Sequence, residues 1–88
     1  MLYLLSDNGS KDRMDISITY CMQWSYGDRA ASLADEIEKA LSLKAEIIGG
    51  QGGVFDVVVD GETIFSKHQL KRFPGPDEII SILRKRSA

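Results

Sequence analysis

The chain has one cysteine, one histidine, one tryptophan and two prolines, and it has no long apolar run. One cysteine cannot close an internal disulfide, and no Cys/His cluster has zinc spacing, so the fold must be held by its core alone and no metal is expected. Such sparing cysteine usage points to a reducing, cytoplasmic setting. The opening Met1-Leu2-Tyr3-Leu4-Leu5 has no basic flank and is far shorter than a signal-peptide core or a membrane span, so neither export nor membrane insertion is expected. Positive charge is not in excess either. Eleven basic against 13 acidic residues give a net charge of -2, which leaves no field to recruit a phosphate backbone, and nucleic acid is not an expected partner.

With 88 residues, 43% of them hydrophobic, the chain can build one core and not two. Residues 1–13 read as a flexible N-terminal arm, because Ser6 to Arg13 is polar and turn-prone without periodicity. Residues 14–88 read as a single domain. Its first element is a strand in which Ile16, Ile18 and Tyr20 face one way while Ser17 and Thr19 face the other. A long amphipathic helix follows, with Ala30, Leu33, Ala34, Ile37, Ala40 and Leu41 at three- and four-residue intervals. Its start has two readings: Asp28 caps it, or it begins near Met22 and tolerates Gly27.

Ala45 to Ile48 is a second strand, parallel to the first by the right-handed crossover rule. The cluster Gly49-Gly50-Gln51-Gly52-Gly53 lies between strands rather than before a helix, so it reads as a tight turn and not as a phosphate loop. Val54 to Val59 is the clearest strand, and Asp60-Gly61 turns it into Thr63 to Ser66 as a two-residue hairpin. Lys67 to Phe73 reads as a polar loop. Pro74-Gly75-Pro76-Asp77-Glu78 then opens a last helix with an apolar stripe of Ile79, Ile82 and Leu83, and Arg84-Lys85-Arg86 suits its C-terminal end. The order βαβββα predicts an α/β two-layer sandwich: a four-stranded mixed sheet with both helices on one face.

In this order several blocks resemble the selenoprotein W-like, or Rdx, family of small thioredoxin-like proteins. They are Ile18-Thr19-Tyr20-Cys21, Arg29 to Ile37, Gly53-Val54-Phe55-Asp56-Val57 with Val59-Asp60-Gly61, and Ile64-Phe65-Ser66-Lys67 followed by Arg72-Phe73-Pro74. The resemblance implies a thioredoxin-like fold. In active members it also implies a CxxC or CxxU motif after the first strand, serving glutathione-linked thiol redox chemistry. Cys21 matches the first motif position, and Trp24 stands at the second, so the motif is degenerate.

A lone thiol can cycle only with an outside thiol, so the catalytic candidate is Cys21, with glutathione or a partner protein as the co-substrate and no resident cofactor. A helix start at Cys21, or the nearby charge of Arg29, would favour the thiolate. The competing reading is an inert, partly buried cysteine. Trp24, Tyr26 and Phe73 are the binding candidates: either they pack under the loop, or they form a contact surface for another protein. His68 lies among Lys67, Lys71 and Arg72 and reads as solvated. Two functions stay open: a weak or vestigial monothiol oxidoreductase acting in cell redox homeostasis, or a non-catalytic interaction module using the Cys21–Tyr26 loop. A homodimer would form through an unpaired sheet edge or through the Met1–Leu5 arm.

Overall fold

The computed structural model describes residues 14–24 and 26–87. The expected N-terminal arm, residues 1–13, lies outside the described residues. The elements are β1 (Ile16–Cys21), α1 (Gly27–Leu41), β2 (Ala45–Gly50), β3 (Phe55–Val59), β4 (Glu62–Ser66), α2 (Lys67–Leu70) and α3 (Pro76–Ser87). The strands form one sheet in the order β2-β1-β3-β4. β1 and β2 run parallel, as the crossover through α1 requires, and the other two pairs are antiparallel. The expected mixed four-stranded α/β sandwich is the observed one.

Alternation along the strands sets the layers. Ile16 and Ile18 of β1 stand opposite Val59 and Val57 of β3, and together with Phe55 and Phe65 they form the sheet side of the core. Ala30, Leu33 and Ile37 of α1 and Ile79, Ile80 and Leu83 of α3 close it from the same face. Ser17, Thr19, Asp56 and Val58, on the opposite face, are only partly buried. Two helical positions differ from the periodic expectation. Ala40 is exposed while Leu41 beside it packs, partly buried, against the core, and in α3 Ile80 is buried where Ile82 is half-buried.

The hairpin between β3 and β4 is made as its sequence demands. Asp60 and Gly61 both take positive φ, 52° and 84°, the combination a two-residue primed turn needs. Asp60 also exchanges bonds with the start of β1: its N–H donates to the Asp15 carbonyl at 2.9 Å, and the Asp15 N–H donates to its carboxylate at 3.0 Å. Ile64 is an extra residue in β4, a bulge between the pairs Val57–Phe65 and Val58–Thr63.

Three local readings are corrected. Lys67–Leu70 is a single helical turn rather than a loop, closed by Lys71 in the left-handed region with its N–H on the Lys67 carbonyl. β2 continues through Gly49 and Gly50, which pair with Tyr20 and Cys21. α1 begins at Gly27, with Tyr26 as its N-cap residue and no side-chain capping bond, so Asp28 sits in the first turn and Cys21 is not at the helix terminus. Tyr26 sets that start because its ring is held in a cluster with Phe55 and Phe73.

Candidate functional site

Cys21 is the last residue of β1 and is fully buried, while Met22, Gln23 and Trp24 directly after it are exposed. The sulfur therefore lies one residue beneath the surface, under the turn that leaves the sheet. The glycine turn between β2 and β3 closes over the same point. The Cys21 N–H donates to the Val54 carbonyl at 2.9 Å, and the Met22 N–H donates to the Gly50 carbonyl at 3.1 Å. Desolvation pushes the thiol pKa up, but hydrogen bonds from the backbone amides of Gly53, Trp24 and Gln23 favour the anion and together hold the pKa below its ordinary value. A cup of main-chain N–H groups does here what a helix terminus was expected to do.

Gly53 is required in that cup. Its φ is +74°, and a Cβ built on it would lie 2.8 Å from the Trp24 ring. The indole of Trp24 therefore rests on the Gly53 backbone, its amide serves the sulfur, and 55% of the residue stays exposed. Met22 lies in the same way against Gly49 and is 62% exposed. So the Trp24 ring packs on the residue whose amide faces the sulfur and still presents a surface.

From Trp24 a chain of edge-to-face ring contacts runs inward. Trp24 meets Tyr26 at 5.6 Å, Tyr26 meets Phe73 at 4.8 Å, and Phe73 meets the buried Phe55 at 5.4 Å between centroids. The three binding candidates named from sequence are thus brought together, with Phe55 as their anchor in the core. Arg29 does not point back toward Cys21; its guanidinium stacks on Phe73, 4.0 Å from the ring centroid. Lys67 lies on the other cationic approach, 5.6 Å from the Tyr26 ring and 5.5 Å from Phe73. His68 is exposed on α2, as expected.

The segment carrying Phe73 is clamped from both sides. Arg72 donates two bonds to the Glu78 carboxylate, at 2.8 Å each, and one to the Phe73 carbonyl at 3.3 Å. The bonds from Arg72 hold the Glu78 carboxyl below its usual range, helped by the Gly75 N–H and opposed by desolvation. A carboxyl depressed in the folded state contributes stability above its unfolded pKa of about 4.3, and that stability is lost as pH falls through the lower folded value. Glu78→Gln is therefore expected to lower the melting temperature modestly at neutral pH. The gap to wild type should shrink below about pH 4. Thermal melts of both proteins across that range check this; a gap independent of pH would remove the charge from the account.

Sequence reasoning missed the amides of Gly53 and Gln23, since main-chain donors have no side-chain signature, and it missed the Arg29–Phe73 stack. It attached no chemistry to Asp56. Asp56 faces Thr19 across the β1–β3 pair, and its Oδ1 is buried with no hydrogen-bond partner among the described residues. No group of three or more His, Cys, Asp or Glu among the described residues is placed to hold a metal ion, and no described helix is long and apolar enough to cross a membrane.

A family model described as the Rdx family matches residues 15–85 of this chain. Solved structures similar to it include two bacterial proteins. One is a selenoprotein W-related protein from Vibrio cholerae, 25% identical with a TM-score of 0.80, covering 86% of this chain and 99% of its own. The other is a protein from Bordetella parapertussis, 26% identical with a TM-score of 0.77, covering 83% of this chain and 96% of its own. No curated protein matches the sequence.

Proposed function

The chain belongs to the Rdx family, and from that premise we propose that it is a monothiol redox protein acting through Cys21 with glutathione or a partner thiol. The observation that carries this reading is the amide cup of Gly53, Trp24 and Gln23 around the sulfur, because it stabilises the thiolate, the reacting form. Trp24 occupies the second motif position, so no resolving sulfur stands three residues on, and the cycle runs through an outside thiol. The Cys21 thiolate attacks the glutathione sulfur of a glutathionylated partner protein, forming a Cys21–glutathione mixed disulfide and expelling the partner's thiolate. A glutathione thiolate then attacks the glutathione sulfur of that mixed disulfide. Its S–S bond breaks, Cys21 leaves as thiolate, and oxidised glutathione is released, so the partner is reduced and two glutathione groups end as the disulfide. A reducing, cytoplasmic compartment supplies the thiol for this second step.

Incubation with oxidised glutathione is expected to add one glutathionyl group to the wild-type protein and none to Cys21→Ser. Reduced glutathione should then remove it. Intact mass spectrometry reads both steps, and a wild-type protein that takes up no glutathione under native conditions sinks the reading.

A second reading rests on exposed apolar surface around the same turn. Met22, packed on Gly49 at the end of edge strand β2, and Trp24, packed on Gly53, are both largely exposed, a combination suited to contact with another protein. The two separate at Cys21→Ser, which ends thiol chemistry and leaves an apolar contact surface unchanged.

A further inference from the structure

A cavity of about 230 Å³ opens beside the start of α1, apart from the sulfur cup. It is lined on its apolar side by Leu33 and Phe55, both buried, and by Phe73, Pro74 and Pro76. Three polar side chains from consecutive turns of α1 line the rim: Asp28, Arg29 and Ser32. The volume lies below the roughly 300–1,000 Å³ of sites for drug-sized ligands, so the space suits a group the size of one amino acid.

The rim carries both signs of charge on adjacent residues. Among the described residues neither Asp28 nor Arg29 forms an ion pair, with the other or with anything else. Stacking on Phe73 holds the guanidinium plane, and its N–H edges make no hydrogen bond among the described residues. A simple anion drawn to Arg29 meets the Asp28 carboxylate, and a simple cation drawn to Asp28 meets Arg29. A ligand with both charges on one carbon satisfies both.

We propose that this cavity binds a zwitterionic α-amino-acid head group, its carboxylate on Arg29 and Ser32, its ammonium on Asp28, and its apolar arm against Phe55 and Phe73. The positive end of the α1 dipole adds to the carboxylate side. Two sources share this chemistry: a free apolar amino acid, and the γ-glutamyl end of glutathione. The site does not depend on the thiol, so the test uses Cys21→Ser protein, in which a failure of thiol chemistry cannot enter.

The measurement is an NMR titration of isotopically labelled Cys21→Ser protein, following the amides of Asp28, Arg29 and Ser32. The probes are L-leucine, N-acetyl-L-leucine, L-leucinamide and S-methylglutathione. Saturable shifts are expected with leucine or S-methylglutathione, and whichever binds more tightly identifies the source. Blocking either charge of leucine should weaken its binding about tenfold or more, as should Arg29→Met for every probe, since a hydrogen bond to a charged group contributes about 1.5–3 kcal/mol. Arg29 is exposed, and the spectrum of Arg29→Met reports directly whether the fold is kept. Absence of saturable shifts with both leucine and S-methylglutathione overturns the proposal. So does equal binding of N-acetyl-leucine and leucine, or an Arg29→Met variant that binds like its parent.

Discussion

Phe55→Ala is expected to cost about 3–5 kcal/mol, the range for removing a buried phenylalanine. The ring is 1% exposed, and it supports two layers at once, the core beneath it and the rings of Tyr26 and Phe73 above it. The loss combines transfer free energy with an unfilled hole, since a sheet residue locked opposite Tyr20 cannot move to close it. A domain of this size has about 5–15 kcal/mol in total, so the variant keeps only part of its stability. Its melting temperature should fall by roughly 15–30 °C. Phe55→Leu, which keeps most of the volume, is expected to recover more than half of the loss, and Phe73→Ala, at a half-buried position on a surface segment, to cost less than Phe55→Ala. Urea unfolding of the three variants measures the series. A cost under about 1.5 kcal/mol for Phe55→Ala would mean that the ring cluster is not part of the cooperative core.

The second large effect concerns ionisation of Cys21. Its alkylation by iodoacetamide is expected to show a midpoint clearly below the value of about 8.5 for a free thiol. Access and ionisation separate by mutation. Trp24→Ala keeps the amide and removes the ring packed on Gly53, so it should raise the limiting rate several-fold and leave the midpoint in place. Gly53→Ala forces a Cβ into the left-handed region and into the indole. It should cost about 1–2 kcal/mol for the backbone alone and move the midpoint back toward the free value. The linkage has a definite sign: an acid whose folded pKa is depressed adds stability above its unfolded pKa and loses it as pH falls through the folded value. Wild type should therefore gain stability relative to Cys21→Ala as pH rises through the window ending near about 8.5. A midpoint at or above that of a reference peptide would show that the amides do not hold a thiolate.

The sheet was legible in the sequence wherever local chemistry and tertiary packing agree. Ile16, Ile18, Val57 and Val59 alternate because one face of the sheet is buried, and Asp60-Gly61 names its own turn. The start of α1 was not legible. Met22 and Asp28 are both acceptable openings locally, and the choice is made by Tyr26 docking on rings contributed by β3 and the segment before α3. The Lys67–Leu70 turn has no apolar stripe to announce it, and it ends on Lys71, a residue with no sequence preference for the left-handed region. For the site, Cys21, Trp24, Tyr26 and Phe73 were visible as residue types. Their chemistry depends on partners distant in sequence: a glycine whose contribution is an N–H, and an arginine whose partner ring lies beyond three strands.

Trp24 is the sole indole of the chain, and its ring rests on the glycine whose amide faces the sulfur. All tryptophan fluorescence of this protein therefore originates in the turn that directly follows Cys21. A disulfide at that sulfur acts on the same amides that carry the ring and its glycine seat, so the redox state of the site is expected to be readable in unlabelled protein, in real time, as a change in emission intensity.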